Sequence, residues 1–279
     1  MNGLFCINKP IGMTSFDVVA ILRKKLGIKK IGHTGTLDPN ASGLMLILVG
    51  NATKLLPFIV HQTKHYHATV QFGIKTSTAD IWGETVEESN IYHVSQEQCE
   101  KVLNSFVGKQ KQIPPMVSAI SVDGKRLYEY ARQGIEIERE ARDIEIFSLK
   151  GHPLINGLEF DVHCSSGTYV RVLCEDIAKK LGMVGTLSSL ARNQIEHLTT
   201  KQAIALEDVK CDTIQWLDPL DLIDYPKVSV IDPTFIYHGK RYLSDYCGDR
   251  LCMLYENKLL AIYEYDGESK NYKSLRGLW

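Results

Sequence analysis

One carboxylate stands out between residues 31 and 50. The run IGHTGTLDPNASGLMLILVG places Asp38 in a loop with two glycines, a histidine and a proline, directly ahead of an apolar segment that reads as a strand. Three chemistries suit parts of that pattern. A phosphate-cradling loop would need G-x-x-x-x-G-K-[ST] opening a helix, whereas here Gly35 is followed by an acid and a strand. A glycosidase would need two carboxylates, and the loop supplies one. A plain turn, with Asp38 bonding its own backbone, needs only Thr-Leu-Asp-Pro. Composition by itself favours the turn.

Other reactive side chains are more dispersed. His61, His65 and His67 would suit a metal-dependent hydrolase holding zinc, but alternation puts His65 and His67 on the polar face of a strand with no acid close in sequence. No metal site is expected. Seven cysteines, at 6, 99, 164, 174, 211, 247 and 252, have no C-x-x-C spacing and read as reduced thiols of a cytoplasmic protein. The net charge of −1 is uneven, +4 over residues 1–142 and −5 over residues 143–279. The densest basic run, RKKLGIKK, offers Lys24, Lys25, Lys29 and Lys30 as phosphate contacts, against the blander reading of a solvated face. No apolar run approaches the roughly 18 residues of a membrane span, and the first residues lack the pattern of a secretory signal.

The elements that must position Asp38 follow from periodicity and capping. TSFDVVAILRKKLG predicts a helix capped by Thr14 or Ser15, with Phe16, Val19, Leu22 and Leu26 inward and Gly27 at its end. LMLILVG predicts a buried strand. HYHATVQFG alternates, with Tyr66, Ala68, Val70 and Phe72 on one face. SQEQCEKVLNSFVG carries a Ser95–Gln98 capping box, an apolar stripe and a terminal Gly108. Pro114 and Pro115 force an extended loop, and GKRLYEYARQG follows as a short basic helix. LEFDVHC reads as a strand, and SSGTYVRVLCEDIAKKLG turns into a helix on which Arg171 could form a surface pair with Glu175. A boundary near Tyr225–Pro226 divides the chain into 1–225 and 226–279, the second a small β-module with a hairpin at Glu256–Lys258. Without a regular βαβ rhythm, the fold class is α+β: a mixed, largely antiparallel sheet flanked by helices, with a small C-terminal β-module.

Five blocks in order, KPIGMTS, GHTGTLDPNASGLMLILVGNATK, KHYHATVQFG, QIPPMVSA with GKRLYEYARQG, and CSSGTYVRVLCEDIAKKLG, closely resemble the bacterial tRNA pseudouridine synthase B family. The resemblance spans roughly residues 3–225. It implies the pseudouridine synthase fold and isomerisation of uridine 55 in the T arm of tRNA on a flipped-out base, with no cofactor. It also implies roles: Asp38 as the catalytic aspartate, Tyr66 packed against the base, and Arg171 paired with Asp38. Tyr169 and Leu190 would line the pocket, and His33 would fill the space the flipped base leaves. Glycines 32 and 35 would let the loop approach RNA closely.

Lys24, Lys25, Lys29, Lys30, Lys125, Arg126 and Arg132 are then the expected RNA contacts, tRNA the partner, the cytoplasm the location and a monomer the state. Residues 226–279 would be a short, diverged PUA-like module. The chain departs from the family pattern at Ala191, before Arg192, where two consecutive arginines are common, and at Ser121, where a lysine is common. An RNA-binding folding helper with the same cleft is the rival reading, but it would not need Asp38, Tyr66 and Arg171 together.

Overall fold

The structure, a computed structural model, describes residues 2–59, 62–246 and 248–278. The chain opens with β1 (Gly3–Lys9), α1 (Ser15–Leu26), the short β2 (Ile31–His33) and β3 (Ser42–Val49). After α2 (Leu56–Ile59) come β4 (Lys64–Phe72) and a hairpin of β5 (Ile74–Thr76) with β6 (Thr85–Glu88). Helix α3 (Gln96–Asn104) leads to β7 (Gly108–Gln112), a ribbon of β8 (Ser121–Val122) and β9 (Lys125–Arg126), and α4 (Leu127–Ala131). Then follow β10 (Arg142–Leu154), β11 (Gly157–Cys164), α5 (Val170–Lys180), β12 (Gly185–Ile195), β13 (Leu198–Thr199) and β14 (Ala203–Ala205). The C-terminal part holds β15 (Lys227–Ser229), α6 (Thr234–Tyr237), β16 (Arg250–Tyr255), β17 (Lys258–Asp266) and β18 (Asn271–Gly277).

Ten strands form one sheet in the order β14-β1-β3-β12-β4-β11-β10-β7, with β2 beside β3 and β13 beside β12. Only the β1–β14 and β3–β12 pairs are parallel, so the sheet is mixed and largely antiparallel as expected. Helix α1 forms because Thr14 caps it reciprocally with Asp17 and Gly27, at φ 66°, ends it. Its inward residues are Val18, Val19, Leu22 and Leu26; Phe16, expected inward, is 68% exposed because the buried face begins at Ser15 and Val18. Helix α3 keeps its capping box but stops at Asn104, and Gly108 opens β7 instead of ending the helix.

Strand alternation sorts the core into two layers. Phe5, Ile7, Met45, Ile47, Tyr66, Ala68, Phe160 and Val162 face the helical side with α1, α3 and α5. Leu4, Cys6, Leu44, Leu46 and Leu48 point the other way and pack on Cys252, Leu254 and Ile262 of the C-terminal sheet. That sheet, ordered β15-β16-β17-β18, buries Tyr263 and Tyr272 on its far side. A 50-residue module is marginal by itself; here it shares a core with the large sheet, at roughly 1.5–3 kcal/mol per large apolar side chain buried.

Candidate active site

The loop that carries Asp38 is held from three directions. Ser15, at the start of α1, both donates to the Leu37 carbonyl at 3.0 Å and accepts the Leu37 N–H at 2.8 Å. Lys9, fully buried at the end of β1, donates to the carbonyls of Pro10, Met13 and Pro39, and Gly12 N–H reaches Pro39 as well. From β12, Arg192 donates to the carbonyls of Leu44 at 2.7 Å and Gly35 at 3.1 Å. The KPIGMTS segment thus acts as a mount for the loop. Residues 38–41 do form a turn, Ala41 N–H bonding the Asp38 carbonyl, but the carboxylate leaves its own backbone and turns to Arg171.

Arg171 sits in the first turn of α5 with 5% of its side chain exposed. Its Nε lies 3.0 Å from Asp38 Oδ2 and its Nη2 3.5 Å from Oδ1, a side-on fork. The same guanidinium donates to the carbonyls of Thr78 at 2.9 Å and Val117 at 2.7 Å, tying together three loops. The expected alternative, a surface pair with Glu175, is not what this side chain makes. Burial raises the Asp38 carboxyl, and Arg171 pulls against that rise while Asp80 adds to it. The net direction is upward, so Arg171 limits the shift instead of producing an unusually strong acid.

Asp38 and Arg171 open onto a cavity of about 240 Å³ that Tyr66, Tyr169 and Leu190 also line. That is below the roughly 300–1,000 Å³ of drug-sized sites and suits a single ring. Tyr66, buried on β4, has its phenol raised by burial, with Arg192 opposing through charge and a hydrogen bond. Tyr169 caps α5, and the buried Gln112 clamps it by accepting its N–H at 2.8 Å and donating to its carbonyl at 3.1 Å. His33 lies on β2 behind the loop and outside the cavity lining; burial and Arg192 lower its pKa, and its Nδ1 is buried without a partner.

Packing within the protein does not itself demand a glycine at 32 or 35. A Cβ at Gly32 would come no nearer than 3.8 Å to Thr53, and one at Gly35 would make ordinary contacts. Gly43 is the demanding position: its φ is +109° and a Cβ would fall 2.3 Å from the Arg192 carbonyl oxygen, where β3 and β12 pair.

The seven expected RNA contacts fall in two exposed groups. Lys24, Lys25, Lys29 and Lys30 surround the C-terminal end of α1, where Lys25 also donates to the Glu207 carbonyl. Lys125, Arg126 and Arg132 flank α4, with Lys125 over the Tyr130 ring and Arg132 over Tyr128. The histidines do not converge. His65 stacks on His163, His67 bonds Asp161 and Glu159, and His61 lies outside the described residues. Among the described residues no group of three or more His, Cys, Asp or Glu side chains is arranged to hold a metal, and no helix is long and apolar enough to cross a membrane.

Sequence reasoning passed over Lys9, Lys64 and Gln112, took Ser15 only as a candidate helix cap, and named Arg192 only as the residue after the departure at Ala191. One signal was present. Lys64 has the same parity on β4 as Tyr66, so alternation already placed it on the buried face.

Comparison with known proteins gives this geometry a class. A chain from the structure of an H/ACA RNP bound to a substrate RNA containing 2′-deoxyuridine superposes with a TM-score of 0.71 at 19% identity, covering 99% of this chain and 85% of that one. A chain of a Cbf5-Nop10-Gar1 complex gives 0.69 at 23% identity, covering 94% and 78%. Residues 23–170 match the model described as TruB family pseudouridylate synthase (N terminal domain). The protein is therefore a pseudouridine synthase, an isomerase. A protein named tRNA pseudouridine synthase B from Alkaliphilus oremlandii (strain OhILAs) is 39% identical over 293 residues, covering 99% of this chain and 97% of that protein. The Bacillus subtilis (strain 168) protein of the same name is 44% identical over 217 residues, 75% of this chain and 70% of that one. The chain belongs to the TruB family.

Proposed function

We propose that the protein isomerises uridine 55 in the T arm of tRNA, with Asp38 as nucleophile toward a flipped-out uridine and without a cofactor. The observation that carries this reading is the Asp38–Arg171 fork at the mouth of a ring-sized cavity lined by Tyr66, Tyr169 and Leu190. The names of the relatives supply the substrate. Isomerisation breaks C1′–N1 and makes C1′–C5 with no change of oxidation state, so a carboxylate and a well-shaped pocket suffice.

In this account Arg171 keeps the Asp38 carboxylate ionised against burial and aims it, since the fork fixes both oxygens. Tyr66 offers its ring to the base and Tyr169 and Leu190 close the sides. His33 takes the place the base leaves in the RNA stack. Extruding the uridine costs a few kcal/mol, which phosphate contacts from Lys24, Lys25, Lys29, Lys30, Lys125, Arg126 and Arg132 offset. Residues 1–225 form the catalytic domain and 226–279 a PUA-like module, a division that the separate four-stranded sheet supports. The protein acts in the cytoplasm, as a monomer.

Hydrogen release at C5 tests the reaction. Unmodified tRNA labelled with tritium at C5 of uridine should lose about one tritium per molecule, because the isomerisation replaces that hydrogen. Asp38→Asn should release none while binding tRNA within a few-fold. Release near the wild-type rate would remove Asp38 from the mechanism.

A further inference from the structure

Two buried cations at the base of the cavity have no ion-pair partner among the described residues. Lys64 is 6% exposed and Arg192 1% exposed, both line the cavity, and among the described residues neither lies within 4 Å of an acid. Their heads converge: a Cβ placed on Gly35 would stand 3.4 Å from Arg192 Nη1 and 3.7 Å from Lys64 Cε. Lys64 Nζ donates to the Gln62 carbonyl at 2.9 Å and Ser166 Oγ at 3.1 Å, and Arg192 Nε and Nη2 donate to backbone carbonyls. All these partners are neutral. Burying a charge without an ion-pair partner is unfavourable: burial and Arg192 lower the Lys64 pKa to about 8, although Cys164 and Glu196 pull the other way. Among the described residues the one carboxylate lining the cavity, Asp38, is already engaged by Arg171.

We propose that Lys64 and Arg192 form a preorganised cradle for negative charge that develops on the uracil ring during isomerisation. This rests on the pseudouridine synthase reading above. Arg192 pairs with Tyr66 across β12 and β4 and both line the cavity, so the cradle lies beside the ring against which the base packs. Charge arises there on either route. Attack by an Asp38 oxygen at C1′ makes a C1′–O bond and expels N1 with its bonding pair, which spreads over O2 and O4. Attack at C6 makes a C6–O bond and moves the C5–C6 π pair into the C4–O4 enolate. On both routes the N1–C1′ bond breaks and C5 bonds to C1′; C5 gives up its hydrogen as a proton, N1 takes up a proton, and the Asp38 carboxylate is released, so the ring ends neutral. Donors fixed in a water-poor site stabilise such charge without reorganising, and removing one lowers a rate by about 10²–10³.

The test is single-turnover conversion of two tRNAs, carrying uridine or 5-fluorouridine at the target position, by wild type, Lys64→Met and Arg192→Lys. Conversion is read as loss of the N-glycosidic bond. On uridine Lys64→Met should lose about 10²–10³ in rate, with tRNA affinity within a few-fold and a melting temperature equal to or above wild type. On 5-fluorouridine, whose ring bears negative charge more readily, the loss should shrink at least ten-fold. Arg192→Lys should show the same narrowing, which guards against a local effect of either substitution. Equal losses on both RNAs, or a melting temperature that falls in step with the rate, would overturn the cradle in favour of a structural role. A wild type that converts neither RNA would instead overturn the underlying reading of the reaction.

Discussion

The two faces of β4 handle charge in opposite ways. Inward, Lys64 and its neighbour Arg192 are buried among neutral partners. Outward, His67 is bracketed by Glu159 at 2.8 Å and Asp161 at 3.0 Å, His152 reaches Glu159 at 3.2 Å, and His65 stacks on His163 with centroids 3.8 Å apart. On the outward face water and acids are both at hand, so each charge is matched where it stands and contributes little. Inward, burial weakens the help that water can give, yet neither cation has an ion-pair partner among the described residues. A fold bears that disadvantage where an incoming group completes the balance. The difference marks one face as surface and the other as a site.

If that contrast is right, the largest effects belong to the inward side. Arg171→Lys keeps a charge but loses the fork on Asp38 and the links to Thr78 and Val117, so single-turnover rate should fall by about 10² or more from misplacement alone. Arg171→Met removes the group that opposes burial. The Asp38 carboxyl should then rise further, and the acid limb of the rate profile should move to higher pH, since activity needs the ionised form. Glu175→Ala is the control, with an expected effect within about 0.5 kcal/mol. A larger loss from Glu175→Ala than from Arg171→Lys would reverse the assignment.

Tyr66→Phe comes next. It keeps the ring, so stacking of about 1–3 kcal/mol per base should persist and affinity should hold. If the hydroxyl takes part in proton transfer, the rate falls by about 10²–10⁴; a full single-turnover rate would leave Tyr66 a packing role only. Smaller again is neutralisation of Lys24, Lys25, Lys29 and Lys30. Binding should weaken and its salt slope flatten by about 0.9 for each phosphate that no longer meets a cation, with near-normal chemistry on saturated tRNA. An unchanged slope would return that run to solvent.

The smallest effect should come from the outward face. Hydrogen bonds that His67 donates to Asp161 and Glu159 raise its pKa despite some burial. Its stability share is therefore full below the unfolded value near 6.5 and fades as pH rises through the higher folded value. With the side chain 38% exposed and screened, His67→Gln should cost no more than about 1 kcal/mol. The melting difference from wild type should be widest in mild acid, and turnover should not change. A large loss of rate in this variant would break the contrast between the faces.

Much of this was legible in sequence, and the gaps have physical reasons. The caps at Thr14 and Ser95, the buried β3 and the inward set Tyr66 to Phe72 follow from local pattern and are present. Strands β10 and β12 were hidden because register shifts, between Ile146 and Ser148 in one and after Leu187 and Arg192 in the other, break the two-residue alternation. Asp38, Tyr66 and Arg171 were named through family resemblance, and the structure brings them to one cavity. Lys64 and Arg192 escaped because residue type argues against burial. What overrides type is position: Lys64 shares the face of Tyr66, and Arg192 pairs with Tyr66 across the strands.

The central claim is that the Asp38 cavity converts one particular uridine. Its most direct measurement is nucleotide-resolution mapping of pseudouridine in unmodified tRNA after incubation with wild type and with Asp38→Asn. A signal at uridine 55 is expected with wild type and none with the variant. Pseudouridine at another position, or an undiminished signal from Asp38→Asn, would contradict the claim.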